Sequence, residues 1–183
     1  MNFEKLFKEI SLEEIKRSVF SLTGENFYLI TAGKNDHYNS MVASGGGVGV
    51  LFKKPTFWCI IQSTRYTLEL MQKIGAFTLS YFLDEHREKI LHLGVKSGRD
   101  SDKMNETELT SVVMSSGNVS FAESWFILEC KLTLITTPVL EDFIAEEAKD
   151  YIGQMYQDLT EYRKFVFGEI IHVWEKIKQM TVK

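Results

Sequence analysis

The amino-acid sequence predicts a mainly β fold with short helices, folded as one domain. About seven short runs rich in β-branched and aromatic residues are separated by turn-forming residues, as in the strands of a small barrel. Apolar residues recur at helical spacing only over short stretches between these runs. The 183 residues suffice for one domain with a real core, and two domains are not expected. These observations favour a small mixed barrel over a doubly wound sheet, in which strands and helices alternate regularly.

The apolar runs predict the strands in chain order. The run at 165–174 is compatible with helix or strand, and its β-branched and aromatic residues favour strand. The run at 124–136 alternates in its second half, which predicts a long strand with one wetter face. Strands are expected at 27–32, 38–44, 56–61, 76–82, 124–136 and 165–174, with 48–52 a further apolar run.

Short helices are predicted between the strands. Near the N-terminus, Phe3, Leu6, Phe7 and Ile10 would lie on one side of an amphipathic helix. The spacing of apolar residues after the strand at 56–61 switches to a helical one, and Gly75 is a suitable residue to end that helix. Helical segments are expected at 1–17, 68–73, 84–93 and, as a helix or a lid-like surface excursion, 141–157.

Composition and charge exclude several classes of protein. The net charge of −4 argues against a general nucleic-acid binder, which would carry a basic face. No apolar run approaches the ~20 residues that a membrane helix needs, and the charged N-terminus does not resemble a signal peptide. We therefore expect a cytoplasmic protein that binds neither nucleic acid nor membrane. Cys59 and Cys130 lie in apolar runs and are expected to be free and buried rather than joined in a disulfide.

A run of glycines precedes the strand at 56–61. Gly45, Gly46, Gly47 and Gly49 suggest a nucleotide-binding loop, but Val50 occupies the third glycine position of a dinucleotide fingerprint. No amphipathic helix follows, and the Gly-Lys-Ser/Thr of a P-loop is absent. Two interpretations stay open: the glycines let the backbone approach a flat ligand closely, or they make a wide turn.

Residues 63–67, with the sequence Ser-Thr-Arg-Tyr-Thr, connect a predicted strand to a predicted helix. The first amides of a helix lack intrahelical partners and carry the positive end of its dipole, and Arg65 adds a planar cationic donor. The hypothesis is a phosphate-bearing ligand at this turn. The alternative is an ordinary capped helix start, with Thr67 or a residue just before it as N-cap and Arg65 in solvent.

A second polar cluster occupies residues 96–103. Arg99 and Lys103 could share an anionic ligand with the first cluster, or they could pair with Asp100 and Asp102 on a solvated loop. The four histidines show no metal spacing with cysteine or carboxylate, so no metal site is predicted. No Ser-His-Asp or Cys-His set stands out, and no catalytic side chain is assigned.

Four ordered stretches resemble the flavin reductase-like family, most closely its flavoredoxin-like branch, over about residues 20–175. They are NSMVASGGGVGVLFKKPTFWCIIQSTRYTLELM, GAFTLSYF, GVKSGRDSDK and VFGEI. The resemblance implies an FMN-binding split β-barrel and a homodimer with FMN at the subunit interface. The implied cofactor-binding residues are Asn39, Ser40, Met41, Val42, Ala43, Ser44, Ser63, Thr64, Arg65, Tyr66, Thr67, Ser97, Gly98 and Lys103.

The resemblance also implies an activity, in which the protein would pass electrons from NAD(P)H or a redox partner through FMN. Possible acceptors are free flavin or a redox protein. Two alternatives remain at this point: an electron-transfer flavoprotein without its own NAD(P)H activity, and a non-catalytic flavin- or haem-binding protein. Branch members usually have threonine and tryptophan where this chain has Val42 and Gly45.

Overall fold

A large antiparallel sheet dominates the computed structural model, which describes residues 1–25, 27–94, 97–99, 103–155 and 163–177. Eight strands form this sheet in the order β3-β2-β6-β9-β10-β5-β4, with β1 paired to β10. A separate hairpin joins β7 and β8. The strands are β1 Phe7–Ile10, β2 Tyr28–Lys34, β3 His37–Ala43, β4 Gly47–Leu51, β5 Lys54–Gln62, β6 Ala76–Tyr81, β7 Ser111–Val113, β8 Val119–Phe121, β9 Phe126–Thr136 and β10 Arg163–Lys176.

The helices are short. The bounds are α1 Tyr66–Ile74, α2 Arg87–His92, α3 Lys103–Glu106 and α4 Glu146–Met155. Helix α1 packs on β2, β3 and β6 and buries Leu68 and Met71 in the main core. Gly75 ends α1 in the left-handed conformation, with φ of 73°, as predicted. Among the described residues, no helix has the length and apolar character needed to cross a bilayer.

The main core is formed mainly by residues of the large sheet and of helix α1. Large rings meet there: Tyr28 packs edge-on against Phe57 with 5.7 Å between ring centroids and lies 5.4 Å from Tyr81. Cys59 and Cys130 are free and buried in this core, as predicted. Burial raises the pKa of the Cys59 thiol to about 12, so this thiol is a poor nucleophile at neutral pH.

The strand prediction for 165–174 is confirmed by β10, the longest strand in the described ranges. Gly168 lies at an irregularity in its pairing with β9. A Cβ at Gly168 would come within 2.6 Å of the Phe77 ring. Glycine at this position therefore lets a core ring pack directly on the backbone.

The helix prediction for 1–17 is wrong. A short 3-10 turn, Phe3–Lys5, is followed by β1, which pairs with the end of β10 from Phe7↔Lys176 to Ile10↔Val173. Phe3 and Phe7 stack on each other, and Trp174 packs edge-on against Phe3. Strand pairing with β10 and this ring cluster override the local helical spacing of the apolar residues.

Candidate functional site

A cavity of about 340 Å³ lies beside the N-terminus of α1. It opens between the end of β5, strand β3, the end of α2 and the start of α3. Cationic, hydroxyl, amide and apolar side chains all contribute to its wall. The lining residues are Asn39, Met41, Val42, Gln62, Thr64, Arg65, Tyr66, Thr67, Leu93, Gly94, Ser97, Gly98 and Lys103.

The turn between β5 and α1 forms one wall. Arg65 is the N-cap of α1, in extended conformation with φ of −70° and ψ of 126°. Its amide donates to the Gln62 carbonyl at 3.1 Å, and its own carbonyl accepts from the Leu68 amide at 3.0 Å. Arg65 is exposed and stands where the helix dipole is most positive. The N-cap is therefore Arg65, two residues before Thr67, where the prediction was Thr67 or a residue just before it.

A buried hydrogen bond connects β3 to the first turn of α1. The Asn39 amide donates to Thr67 Oγ1 at 2.7 Å, and both side chains are almost fully buried. Gly98 lies directly against this amide, since a Cβ added there would collide with Asn39 Oδ1. The loop 97–99 therefore approaches β3 and α1 closely only because residue 98 has no side chain.

Lys103 brings a second cation to the cavity. Its residue exposure is only 6%, and its Nζ donates to the Leu93 carbonyl at 2.9 Å. Burial, assisted by the positive charge of Arg65, lowers the pKa of Lys103 to about 8. A buried ammonium beside a guanidinium favours an anion between them, because the anion would offset the mutual repulsion of the two positive charges.

Arg99 fastens the loop to the helix start. Its guanidinium donates to the Thr64 carbonyl at 2.6 Å and to Glu69 Oε2 at 2.8 Å, and it lies 5.3 Å from the Tyr66 ring centroid. The alternative of pairing with Asp100 and Asp102 falls on residues outside the described ones, as are Lys96 and Ser101.

Ten of the predicted cofactor-binding residues line the cavity and four do not. The Ser40 hydroxyl is paired with that of Thr31 at 2.8 Å inside the sheet. Ala43 faces the main core, and Ser44 is exposed just beyond β3. Ser63 is half-buried next to the lining residue Thr64. Their predicted contacts would have to come through backbone groups or a partner subunit.

The glycine run packs on the protein itself. A Cβ at Gly46 would collide with the Trp58 carbonyl, and one at Gly47 would come within 2.5 Å of Trp58 Nε1. Gly45, with φ of +81°, accepts from the Tyr28 hydroxyl at 2.6 Å. The glycines therefore let β4 lie directly against Trp58 of β5, a close approach of chain to chain that neither open interpretation included.

The comparison of the sequence with known families decides the identity of the fold. The sequence model of the flavin reductase-like domain matches residues 20–178. The chain belongs to this family. Both the predicted resemblance and the predicted mainly β split-barrel architecture are thereby confirmed.

Solved structures of the family share the fold at low sequence identity. A flavin reductase-like FMN-binding domain from Shewanella baltica is similar with a TM-score of 0.65 and 17% identity, covering 92% of this chain and 76% of that one. Flavoredoxin from Methanosarcina acetivorans gives 0.61 and 17%, covering 82% and 68%. An NADH:FAD oxidoreductase from Streptomyces globisporus gives 0.57 and 13%, covering 82% and 78%. No curated protein matches the sequence significantly.

Three lining residues were not predicted from the sequence: Gln62, Leu93 and Gly94. A Cβ at Gly94 would come within 3.2 Å of Val42 Cγ2. Glycine at this position therefore lets the chain after α2 pack closely against β3. A helix-ending glycine two residues before the predicted polar cluster at 96–103 was the available signal. Gln62 ends β5, and its position directly before the predicted phosphate turn was a second signal.

The donor set of the cavity fits an organic phosphate. Arg65, Lys103, the hydroxyls of Thr64 and Ser97 and the first turn of α1 can all donate to phosphate oxygens. No carboxylate occurs among the described lining residues. The described part of the chain also contains no cluster of three or more His, Cys, Asp or Glu side chains suited to a metal ion.

Proposed function

We propose that the chain binds FMN in the cavity beside α1 and works as a flavin-dependent oxidoreductase. The observation that carries the proposal is the convergence of Arg65, buried Lys103 and the start of α1 on one cavity in a flavin reductase-like fold. A dianionic phosphate suits two cations and a helix N-terminus. Among the residues that line the cavity, this cluster is where the positive charge is concentrated.

The rest of the cavity suits a flat ring. Met41, Val42, Leu93 and Gly94 are the apolar residues in the same lining as the cations. Strand β3 ends the sheet order, so one of its backbone edges is free of the main sheet. Amides near Val42 on such an edge can donate to ring heteroatoms and favour a more negative ring. When bound, FMN would supply the hydride and electron transfer, with NAD(P)H or a redox protein as electron donor.

We propose that the functional unit is a homodimer with the flavin at the subunit interface. The outer face of β9, β10 and β5 is apolar: Phe167 is opposite both Leu134 and Trp58, and Phe165 is opposite Ile60. Residues directly opposite in antiparallel strands share a face. The row continues along β5 to Gln62, which lines the cavity, so a second copy seated on this apolar face would also border the ligand.

An electron-transfer flavoprotein without NAD(P)H activity is the second candidate. The similarity to flavoredoxin favours it, and the assigned residues hold a cofactor without requiring a side-chain acid or base. Both candidates share the cavity and the flavin. They differ in whether reduced nicotinamide reaches the ring.

Two measurements test these proposals. The absorption spectrum of the purified protein, or of protein reconstituted with FMN, should show flavin bands shifted from those of free FMN. Steady-state oxidation of NADH and NADPH with added FMN then separates the candidates, because only the oxidoreductase turns over. Protein that stays colourless after reconstitution and leaves FMN fluorescence unchanged would contradict both.

A further inference from the structure

A second cavity, of about 690 Å³, lies at another end of the molecule. It shares no lining residue with the first one. Its lining residues are Lys8, Ile10, Glu14, Ile15, Lys16, Arg17, Trp125, Phe126, Glu175, Lys176 and Ile177. The two sites lie on different strands of the sheet. Phe126 is on β9, which is separated from β3 by β6 and β2, whereas the first cavity is lined by β3 as far as Asn39.

One wall of this cavity lies outside the segment that the family model matches. The six lining residues from Lys8 to Arg17 precede residue 20, where the family match begins. This segment is held in place by β1, which pairs with β10, and by a capping box in which the Ser11 amide donates to Glu14 Oε2 at 2.7 Å. The N-terminal segment thus forms one wall of the pocket and packs on strands of the matched domain.

The floor of the cavity is aromatic. The Trp125 and Phe126 rings stack with 5.2 Å between centroids. The Arg17 guanidinium lies over the Trp125 ring at 4.5 Å from its centroid. A stacked guanidinium keeps its in-plane N–H groups available, and these groups match the two oxygens of a carboxylate. Ile10 and Ile15 add aliphatic surface to the same wall.

The charge of the lining is the opposite of the charge of the chain. Four cations and two carboxylates line the cavity, whereas the chain carries −4. Both carboxylates already have partners: Glu175 pairs with Lys8 at 3.2 Å, and Glu14 accepts from the Ser11 amide. Lys176 donates to the Ala122 carbonyl at 2.7 Å. Within the described ranges, Arg17 forms no ion pair.

We propose that this cavity binds a small aromatic carboxylate, with its ring on Trp125 and Phe126 and its carboxylate on Arg17 and Lys16. The volume lies within the range of small-molecule sites, roughly 300–1,000 Å³. An apolar floor with a few convergent cations orients such a ligand, because the ring and the charge are recognised at opposite ends. The site is independent of the flavin cavity and of the activity proposed for it.

The experiment uses the full chain and 1-naphthoate, with 1-naphthalenemethanol as the neutral match. Calorimetry should show saturable naphthoate binding with a Kd below about 1 mM, and the alcohol should bind at least about tenfold more weakly. The double variant Arg17→Ala, Lys16→Ala should raise the naphthoate Kd at least about tenfold, because both cations proposed to hold the carboxylate are lost. Both side chains are exposed, so the substitutions should leave the fold intact.

Two controls make the outcome specific. Arg87 is also exposed and lies over a ring, that of Phe27, at 4.8 Å, so Arg87→Ala should leave the Kd unchanged. Trp125→Phe keeps an aromatic floor and should abolish ligand-dependent quenching of tryptophan fluorescence while calorimetric binding persists. The proposal is overturned if naphthoate does not bind, if the alcohol binds equally well, or if the Arg17/Lys16 variant binds like the Arg87 control.

Discussion

At the scale of single residues, two cations of unlike character line the cavity proposed for the flavin. Arg65 is exposed and presents a planar guanidinium, whereas Lys103 is buried and its pKa is lowered to about 8. In the proposed complex the first aligns the phosphate, and the second contributes only while it is protonated. The two residues therefore predict different effects of mutation and of pH.

Replacing Arg65 with alanine should weaken FMN binding by ~2–4 kcal/mol, because a phosphate dianion loses its bidentate donor. This corresponds to about 30- to 1,000-fold in Kd. Quenching of FMN fluorescence measures the Kd directly. Arg87→Ala, a change of the same kind at an exposed site outside the cavity lining, is the control. Equal affinity of wild type and Arg65→Ala would show that the phosphate lies elsewhere.

FMN affinity should fall as the pH rises through about 8. Binding an anion favours charged Lys103, so above this pH a proton must be taken up on binding, at a cost in affinity. The phosphate itself stays dianionic, since its second pKa is about 6. Between pH 7 and pH 9 the Kd should rise about tenfold. Lys103→Met should bind more weakly at pH 7 and lose this dependence; a wild-type Kd that is flat over this range would contradict it.

The candidate anion site at the start of α1 could be predicted from the sequence, and the burial of Lys103 could not. A hydroxyl-rich turn with one arginine between strand and helix is compatible with an anion site, because the first amides of the helix are unpaired there. Lys103 sits in a charged, polar stretch of sequence, and only the packing of α3 against Leu93 and β3 buries it. The Arg99 contacts to Glu69 and Thr64 likewise depend on a loop path that no local pattern encodes.

At the scale of elements, the β4–β5 hairpin shows why glycines cluster in this chain. Gly46 and Gly47 lie against Trp58, whereas a Cβ at Gly49 would meet nothing within 4 Å. Gly47 and Gly49 share a strand, but only the first is constrained by packing. The glycines predicted that the backbone of this segment lies close to another group, but not that the group is Trp58. The residue opposite a strand position depends on the pairing register, which the local sequence does not specify.

Gly47→Ala should destabilise the fold, because its Cβ would force the Trp58 indole out of place. An overpacking substitution of this kind typically lowers the free energy of unfolding by about 1–3 kcal/mol. Gly49→Ala is the matched control, expected to be neutral or slightly stabilising. Urea denaturation of both variants tests this. Equal midpoints for the two variants would show that the Trp58 contact does not constrain β4.

Strand periodicity predicted most of the large sheet. The error lies where pairing with another strand, rather than the local sequence, determines the secondary structure. Residues 7–10 carry apolar groups at helical spacing yet form β1, because the last residues of β10 offer a strand edge and Trp174 offers a ring for Phe3. The helix at α1 was predictable because its apolar face and its terminal glycine agree locally.

At the scale of the whole molecule, the outer face of β5, β9 and β10 is the surface proposed for the second subunit. Ile60 is 36% and Leu134 40% exposed in the single chain, next to the stacked pair Trp58 and Phe165. Contiguous apolar strand surface of this kind marks an interface or a liability to aggregate. The cavity borders this surface at Gln62, which connects assembly to ligand binding.

Ile60→Glu should convert the dimer to a monomer and weaken FMN binding. In a two-fold dimer the carboxylate of each subunit would be buried against the apolar face of the other, at a high desolvation cost. Sedimentation velocity gives the mass, and FMN titration gives the affinity. Val113→Glu changes a similarly exposed residue, 43% exposed on the separate β7–β8 hairpin, and should alter neither. A wild-type protein that sediments as a monomer would refute the dimer. An unchanged FMN affinity in monomeric Ile60→Glu would show that the flavin does not bind at the subunit interface.

The most direct test of the central claim is a crystal structure of the chain grown with FMN. We predict density for the phosphate within hydrogen-bonding distance of Arg65 and the first turn of α1, with Lys103 on the same ligand and the ring along Met41 and Val42. A structure in which FMN is absent from this cavity at saturating concentration, or in which its phosphate contacts neither Arg65 nor the start of α1, would contradict the account.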